Sequence, residues 1–336
     1  MSASIIGVDV GGTKVAVAAL RENSLGEALL NPTQLDNGEE LIDQLVSMIG
    51  EVRGDGPLDG VGIGVPSVVE FKTGKVISSA NIPLRDVPLR EVLGSRLGVP
   101  VFVDNDATVA ALAEAHDEQL KQVSRDLVML TIGTGVGAGL VLGGRIYRGA
   151  TGAAGEIGHT IVGLDLAGAV PAPMGFPQPG SLEFVASGHA LDRLAAQAAN
   201  LHPESALGRL RQEGKPVLGP DAVEAALAGD ESARRMVEIW GQRLGIGVAN
   251  AINTFDPDEV VIGGGAAQAG DLLLEPARKI AAGYVLPGLG SETTIRLARH
   301  GVRAGVLGAA LLAEHEVHGP AASRESAVST TTEVNG

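Results

Sequence analysis

Short apolar runs alternate along the chain with longer segments in which apolar residues recur at regular intervals. Apolar runs bounded by glycine, proline or acidic residues predict buried strands, and the first four are Ile5–Val10, Val15–Leu20, Gly60–Val65 and Val101–Val103. Segments with apolar residues three or four apart predict helices, and the first of these is Glu39–Val52. The order of strands and helices indicates an α/β protein.

The same alternation continues to the end of the chain. The remaining predicted strands are Leu127–Ile132, Val136–Leu142 and Val260–Ile262, and the remaining predicted helices are Ala107–Ala115, Leu182–Ala199, Glu231–Asn253 and Gly305–Ala313. In the helix at 231–253, an apolar residue recurs every four positions, which predicts a buried stripe. The stripe comprises Met236, Trp240, Leu244, Val248 and Ile252. From about residue 317 the chain is polar and rich in Ser and Thr, which predicts a disordered tail.

One local pattern occurs twice. A strand, a glycine turn and a returning strand appear around Gly11-Gly12 and again around Gly133–Gly135, about 120 residues later. The repetition indicates a duplicated fold with a cleft between two halves. Two unrelated hairpins are the alternative, because such hairpins are common.

Composition excludes several classes of protein. The chain has 336 residues, enough for two domains, and 45% of them are apolar. The net charge of −15, without a long basic run, argues against nucleic acid as a partner. No cysteine is present, so disulfides and thiolate metal sites are excluded. We expect a cytoplasmic protein, because the first residues lack the pattern of a signal peptide. The apolar stretch 127–142 contains four glycines and fits a buried hairpin better than a membrane span.

The glycine turns are candidate phosphate sites. Gly11 and Gly12 have no Cβ atoms to block the approach of a phosphate group, Thr13 offers a hydroxyl and Lys14 a cation. Asp9 offers a carboxylate to magnesium through water. The second turn comprises Gly133, Thr134 and Gly135, and the third comprises Gly264, Gly265 and the start of a helix near Gln268. Such turns at helix N-termini are typical of nucleotide sites, although no Walker sequence occurs.

Acidic residues near a helix start are candidates for acid–base chemistry. Asp106 follows a strand and precedes a helix, where an ionised carboxylate could accept a proton from a hydroxyl group. The alternative is that Asp104 or Asp106 only caps the helix, which is the commoner use of aspartate there. Glu156 and His159 lie near glycines, but each could equally be a surface charge or a structural histidine.

Taken together, these segments resemble the ROK family of bacterial sugar kinases and sugar-responsive repressors. The resemblance runs from about Ile5 to Leu312. The matching motifs are Asp9–Lys14, Val103–Asp106, Gly133–Gly139, Gly155–His159 in the pattern Gly-Glu-x-Gly-His, and Ile262–Gly265. The resemblance implies an actin-like ATPase fold, related to ribonuclease H, in two α/β domains with an interdomain cleft. We expect a small domain at 1–115 with about 303–316, a larger domain at 116–302 and the tail at 317–336.

The resemblance also implies roles for single residues. Asp106 would be the base for a sugar hydroxyl, and Asp9 would orient magnesium beside ATP. The residues expected to bind the sugar are Asn81, Asn105, Asp106, Glu156, His159 and Glu183. In the family, the His of the Gly-His pair usually binds zinc with three cysteines. Here Ser181 stands where the last cysteine would be and the others are absent, so we expect no structural zinc.

The implied function is phosphorylation of the 6-hydroxyl of a hexose, with glucose as the default and ATP and Mg²⁺ as cofactors. An amino-sugar kinase, such as a kanosamine 6-kinase of antibiotic biosynthesis, and a polyphosphate-using glucokinase are the alternatives. A sugar-sensing repressor is disfavoured, because the first phosphate motif begins nine residues from the start and leaves no room for a helix-turn-helix domain. Intact Asp9, Asp106 and glycine turns disfavour an inactive scaffold. By analogy with relatives we expect a homodimer that binds a sugar and a nucleotide, but neither nucleic acid nor membrane.

Overall fold

The computed structural model describes residues 4–79, 81–167 and 170–319. The strands are β1 (Ile5–Val10), β2 (Lys14–Arg21), β3 (Ser24–Leu25), β4 (Leu29–Pro32), β5 (Gly60–Val65), β6 (Ser67–Glu70), β7 (Lys75–Ser79), β8 (Val101–Asn105), β9 (Leu127–Ile132), β10 (Val136–Leu142), β11 (Arg145–Ile146), β12 (Glu259–Gly263) and β13 (Thr294–Leu297). The α-helices are α1 (Gly38–Arg53), α2 (Leu89–Leu97), α3 (Asp106–Glu114), α4 (Leu182–Ala186), α5 (Gly188–Leu201), α6 (Ala206–Gln212), α7 (Gly219–Leu227), α8 (Glu231–Phe255), α9 (Asp271–Tyr284) and α10 (Ala304–His318). Short 3₁₀ helices occur at Ile157–His159, Gly265–Ala269 and Gly301–Arg303.

The described chain divides into two compact units. The first unit comprises residues 4–125, 139–154 and 302–319, and the second comprises residues 126–138 and 155–301. β10 begins in the second unit and ends in the first. The domain limits expected from the sequence stay a prediction. α10 extends through His318, and residues 320–336 of the expected tail lie outside the described residues.

The sheet of the first unit has the order β3-β2-β1-β5-β8. β1 pairs antiparallel with β2 and parallel with β5, and β5 pairs parallel with β8. Alternate residues of a strand face opposite sides of a sheet, so Ile6, Val8 and Val10 join one core with the apolar residues of α1 and α2. Gly7 faces the other side, where α10 lies directly on the strands.

The second unit repeats this arrangement. β9 and β10 are joined by a glycine turn and lie side by side, as β1 and β2 do. β9 pairs parallel with β12, and β12 pairs parallel with β13. The orders β2-β1-β5-β8 and β10-β9-β12-β13 therefore correspond, which confirms the predicted duplication. The stretch 127–142 is the predicted buried hairpin, and none of the described helices is long and apolar enough to cross a membrane. In α8, Trp240, Leu244, Val248 and Ile252 are buried as predicted, whereas Met236 is only half-buried.

Two predicted elements were wrong in their bounds. The predicted helix 182–199 is two helices, because the backbone of Ser187 is extended and its hydroxyl caps α5 by accepting from the Ala190 N–H at 3.3 Å. Trp240 Nε1 stabilises the break by donating to the carbonyls of Ala186 and Ser187, at 2.7 and 3.1 Å. After the third glycine turn, a 3₁₀ helix contains Gln268, and the α-helix begins only at Asp271.

Candidate active site

Three acidic residues of the first unit lie at one end of its parallel strands. The register places Asp9 of β1 opposite Gly64 of β5, and Gly64 opposite Asp104 of β8. Asp106 follows two residues after Asp104, as the first residue of α3. The carboxyl ends of parallel strands form the usual binding edge of α/β sheets. The sheet therefore gathers at one edge carboxylates that are almost 100 residues apart in the chain.

Asp9 has an unusual electrostatic environment. Burial and the neighbouring Asp106 carboxylate raise the pKa of Asp9 from 3.8 to about 6, and Lys14 opposes the shift. Gly305, in the first turn of α10, lies so close to the Asp9 carboxylate that a Cβ atom there would overlap it. A helix N-terminus attracts negative charge, but here it does not offset the cost of burial. Positive charge placed near Asp9 would therefore stabilise its ionised form.

Asp9→Asn should make the folded protein more stable at alkaline pH. Folded Asp9 holds its proton more tightly than unfolded Asp9, so ionisation costs stability as the pH rises from about 4 through about 6. The difference between pKa values of 3.8 and about 6 corresponds to about 3 kcal/mol. We expect Asp9→Asn to raise the free energy of unfolding by about that amount at pH 8 and by almost nothing at pH 4.

Urea unfolding with EDTA present measures this effect without bound cations. The control is Asp55→Asn, which alters an exposed aspartate of the same unit. A stabilisation of Asp9→Asn that did not grow between pH 4 and pH 8 would contradict the raised pKa of Asp9.

The start of α3 bears on whether Asp106 only caps the helix or could act as a base. Asn105, not Asp106, is the capping residue, since its Oδ1 accepts from the N–H groups of Ala107 and Thr108 at 2.9 and 3.2 Å. Asp106 Oδ1 accepts a further contact from Ala107 N at 2.8 Å. Burial raises the pKa of Asp106, and the bonds from Ala107, from its own N–H and from Asn105 partly offset the rise.

Two predicted sugar ligands also lie in the first unit. The Nδ2 of Asn105 donates to the carbonyl of Ser67 at 3.3 Å, and the Asn105 side chain also hydrogen-bonds the Asp106 carboxylate. Asn81 lies beside the first glycine turn, because a Cβ atom on Gly12 would be 3.3 Å from the Asn81 Cβ. The turn itself is fixed by the Gly11 N–H, which donates to the Lys14 carbonyl at 2.9 Å.

The second and third glycine turns meet in the second unit. Both follow parallel neighbouring strands, β9 and β12, so they leave the sheet at the same edge. Gly264 has a φ of +77°, and a Cβ atom there would lie 2.5 Å from the Ile132 carbonyl oxygen. The Gly188 N–H donates to the Gly133 carbonyl at 2.8 Å, which places the start of α5 against the second turn. Only glycine allows this close approach at position 264.

A cavity of about 680 Å³ opens beside these two turns. Its volume lies within the range of small-molecule sites. The turns contribute Gly133, Thr134, Gly265 and Gln268 to the lining. The opposite walls come from α5 and α7, and they include Leu191, Asp192, Leu218, Pro220, Val223 and Leu227. No motif in the sequence indicated these wall residues, because they lie in or beside helices and not in the glycine turns.

The remaining predicted sugar ligands surround the start of β10. Glu183 Oε2 accepts from the Val136 N–H at 2.8 Å, so this carboxylate also fixes the second glycine turn. Gly158 lies directly against the Val136 carbonyl, where a side chain would overlap it. Glu156 is largely exposed, and its Oε2 lies 3.7 Å from His159 Nε2. The second unit thus brings Glu183 and the Gly155–His159 segment together.

The surroundings of His159 do not fit zinc. Its Nδ1 is buried and has no hydrogen-bond partner among the described residues, so one nitrogen ligand is available. The edge of the ring instead contacts Phe176, with ring centroids 5.3 Å apart. Ser181 is buried and caps α4 by accepting from the Phe184 N–H at 3.2 Å. Zinc needs four ligands of N, S or carboxylate type, and no group of three or more His, Cys, Asp or Glu residues that could hold a metal occurs in the described part of the chain.

Comparison with known proteins identifies the family. The sequence model of the ROK family matches residues 5–316. This chain belongs to the ROK family. The ROK chain is 35% identical to a glucokinase of Halalkalibacterium halodurans over 323 residues, which cover 93% of the chain and 95% of that relative. It is 33% identical to a putative xylose repressor of a Caldicellulosiruptor species over 285 residues, which cover 82% of the chain and 69% of the repressor.

A solved ROK structure shows the fold. The glucokinase of Streptomyces griseus, in complex with glucose and AMPPNP, superimposes with a TM-score of 0.75 at 32% identity. The match covers 93% of this ROK chain and 99% of that protein. The likeness confirms the predicted actin-like α/β fold of the ROK chain.

Proposed function

We propose that this chain is an ATP-dependent kinase that phosphorylates the 6-hydroxyl of a hexose, with glucose as the first candidate. Its similarity to glucokinases over nearly the whole length makes the chain a sugar phosphotransferase. One observation carries the proposed chemistry: Asn105 caps α3, so the cap does not require the neighbouring Asp106 carboxylate, which we assign as the base. Asp106 would accept the proton of the sugar hydroxyl as the phosphoryl group is transferred.

The other residues of the proposal bind and orient. The backbone N–H groups of Gly12, Thr134 and Gly135 would donate to phosphate oxygens, because phosphoryl transfer depends mainly on positioning and charge neutralisation. The N–H groups of Gly11 and Gly133 hold the turns themselves by donating to the carbonyls of Lys14 and Gly135. Asp9 would hold Mg²⁺ through water, and the ion supplies positive charge to the phosphates when it is bound. Asn81, Asn105, Glu156, His159 and Glu183 remain our proposed sugar ligands.

The cavity of the second unit favours a nucleotide as the phosphoryl donor. Its walls include Leu191, Leu218, Val223 and Leu227, which suit the flat apolar faces of a nucleobase. Polyphosphate is charged along its whole length and would gain nothing from such walls. We therefore propose ATP rather than polyphosphate as the donor.

Val223→Glu should weaken the use of ATP specifically. A carboxylate in the apolar wall would have to be buried against the base, so we expect the KM for ATP to rise about tenfold or more. The KM for the sugar should change by less than about twofold, because Val223 lines this cavity and none of the proposed sugar ligands is among its lining residues. Steady-state kinetics with each substrate varied in turn measures both values.

Val223→Leu is the matched control, because it keeps the wall apolar. An unchanged KM for ATP in Val223→Glu would show that this cavity does not hold the nucleobase.

The acceptor is tested by a coupled assay over a panel of sugars. Glucose, mannose, N-acetylglucosamine and kanosamine are each offered with ATP and then with polyphosphate. We expect the highest kcat/KM with glucose and ATP. A preference for kanosamine would establish the amino-sugar alternative, and sugar binding without transfer would establish a sensor. We also propose a cytoplasmic homodimer, which cell fractionation and sedimentation would check.

A further inference from the structure

Arg148 and Asp104 form a buried ion pair, and Asp104 lies two residues before the proposed base Asp106. Arg148, in the segment after β11, donates from Nε to Asp104 Oδ2 at 2.7 Å. The side chain of Asp104 is 2% exposed and that of Arg148 is 20% exposed. A buried carboxylate without a partner is costly, so Asp104 depends on the guanidinium group. Arg148 lies outside every motif that resembles the ROK family, and no proposed substrate contact uses it.

Asp104 also accepts a hydrogen bond from the residue that caps α3. Its second oxygen, Oδ1, accepts from the Asn105 N–H at 2.9 Å. Asn105 in turn caps α3, and Asp106 is the first residue of that helix. Three consecutive residues are thus held by one chain of hydrogen bonds that begins at Arg148. The Asn105 side chain also hydrogen-bonds the Asp106 carboxylate, so a displacement of Asp104 would be transmitted to Asp106.

The guanidinium group of Arg148 also contacts an aromatic ring. It stacks on the ring of Phe71, with its carbon 3.5 Å from the ring centroid. Phe71 lies in the turn between β6 and β7, where Arg90 donates to the carbonyls of Phe71 and Lys72 at 2.6 and 2.8 Å. The planar group can stack and donate at the same time, which a lysine ammonium cannot do.

We propose that Arg148 is a positioning residue for the base Asp106 and acts through Asp104 and the Asn105 cap. The inference rests on the proposed function, because it assigns Asp106 the role of base. A residue that only stabilises the fold would change the unfolding midpoint and leave the kinetics of the folded enzyme unchanged. A positioning residue changes kcat in the folded enzyme, since displacement of a reacting group by about 1 Å can cost about a hundredfold in rate.

The first test is Arg148→Met, which keeps an unbranched side chain that reaches about as far as the arginine Nε and removes the charge and donors. We expect kcat to fall about tenfold or more, while the KM for ATP stays within about threefold. Arg148→Lys should give an intermediate kcat, because lysine keeps the positive charge but lacks the planar guanidinium group that stacks on the ring. Circular dichroism at the assay temperature confirms that each variant is folded, and Arg148→Lys carries the test if Arg148→Met does not fold.

Arg96→Met is the matched control, because Arg96 also pairs with an aspartate, Asp43 at 2.6 Å, but on the exposed surface of the same unit. We expect no change of kcat in this variant. A wild-type kcat in folded Arg148→Met would overturn the inference.

A double-mutant cycle tests the path through Asp104. Asp104→Asn alone should lower kcat about as much as Arg148→Met alone, because each leaves the other group buried without its partner. The double variant should then lose little more than either single variant. Multiplied losses in the double variant would show that the two residues act independently and would contradict the inference.

Hydrogen exchange separates this inference from the proposed function. In Arg148→Met, the amides of residues 105–108 should exchange at least about tenfold faster than in the parent, whereas those of α1 should not change. This readout needs no substrate. If the parent enzyme phosphorylates no sugar, the proposed function fails and exchange still tests the contact chain. If the parent is active and exchange at 105–108 is unchanged, only the positioning role fails.

Discussion

Asp106→Asn should abolish sugar phosphorylation and leave a folded protein that still binds sugar. The amide cannot accept the hydroxyl proton, so we expect kcat to fall by at least about a hundredfold. Asparagine has nearly the same shape, so the contact with the Ala107 N–H can persist through its side-chain oxygen. Steady-state kinetics measures the loss, and calorimetry with the sugar alone measures the remaining binding.

The loss would not come from unfolding. Burial raises the pKa of Asp106, so the ionised carboxylate costs stability above the pKa of the folded state. The asparagine variant should therefore be at least as stable as the parent at pH 8. Asp55→Asn, on the exposed surface, should keep full activity. Activity of Asp106→Asn within about tenfold of the parent would remove Asp106 from the role of base.

Gly62→Ala should destabilise the first unit more than any other methyl group added to its sheet. A Cβ atom on Gly62 would overlap the carbonyl oxygen of Ala309, because α10 lies directly on β5. Backbone atoms cannot move away by changing rotamer, so the helix must shift as a whole. We expect a loss of about 3 kcal/mol and an apparent Tm lower by about 5–10 °C. Scanning calorimetry measures the shift.

Gly308→Ala provides an independent second case, because its Cβ atom would overlap the carbonyl oxygen of Val109 on α3. Gly50→Ala is the control. Gly50 is exposed in α1 and has no atom within 4 Å of an added Cβ, so alanine should stabilise the helix by up to about 1 kcal/mol. Equal Tm values for the Gly62 and Gly50 variants would contradict the close packing of α10 on the sheet.

The sequence predicted those parts of the fold that short-range patterns determine. Strands such as Ile5–Val10 and Leu127–Ile132 end in glycine turns, and both bounds were confirmed. The break at Ser187 could not be predicted, because the Ala-rich segment favours helix throughout. It is stabilised by Trp240, more than 50 residues away in the chain. Tertiary contacts therefore override local propensity at this position.

The candidate site could also be predicted only in part. Glycine turns and Asp106 were found from motifs, but the capping role of Asn105 required the geometry of the helix start. The proximity of Asp9 and Asp106 depends on the register of three strands, which no local pattern contains. Arg148 was missed because it lies 44 residues from Asp104, and only the path of the chain after β11 joins them.

Phosphorus NMR of a reaction with wild-type protein, ATP, Mg²⁺ and glucose tests the central claim most directly. If Asp106 activates a sugar hydroxyl, a sugar phosphomonoester should accumulate in equal amount to ADP, and the Asp106→Asn protein should produce neither. Carbon–phosphorus coupling at C6 would identify the phosphorylated hydroxyl. ADP that appears only with free phosphate, or ATP that stays intact with every sugar of the panel, would contradict the account.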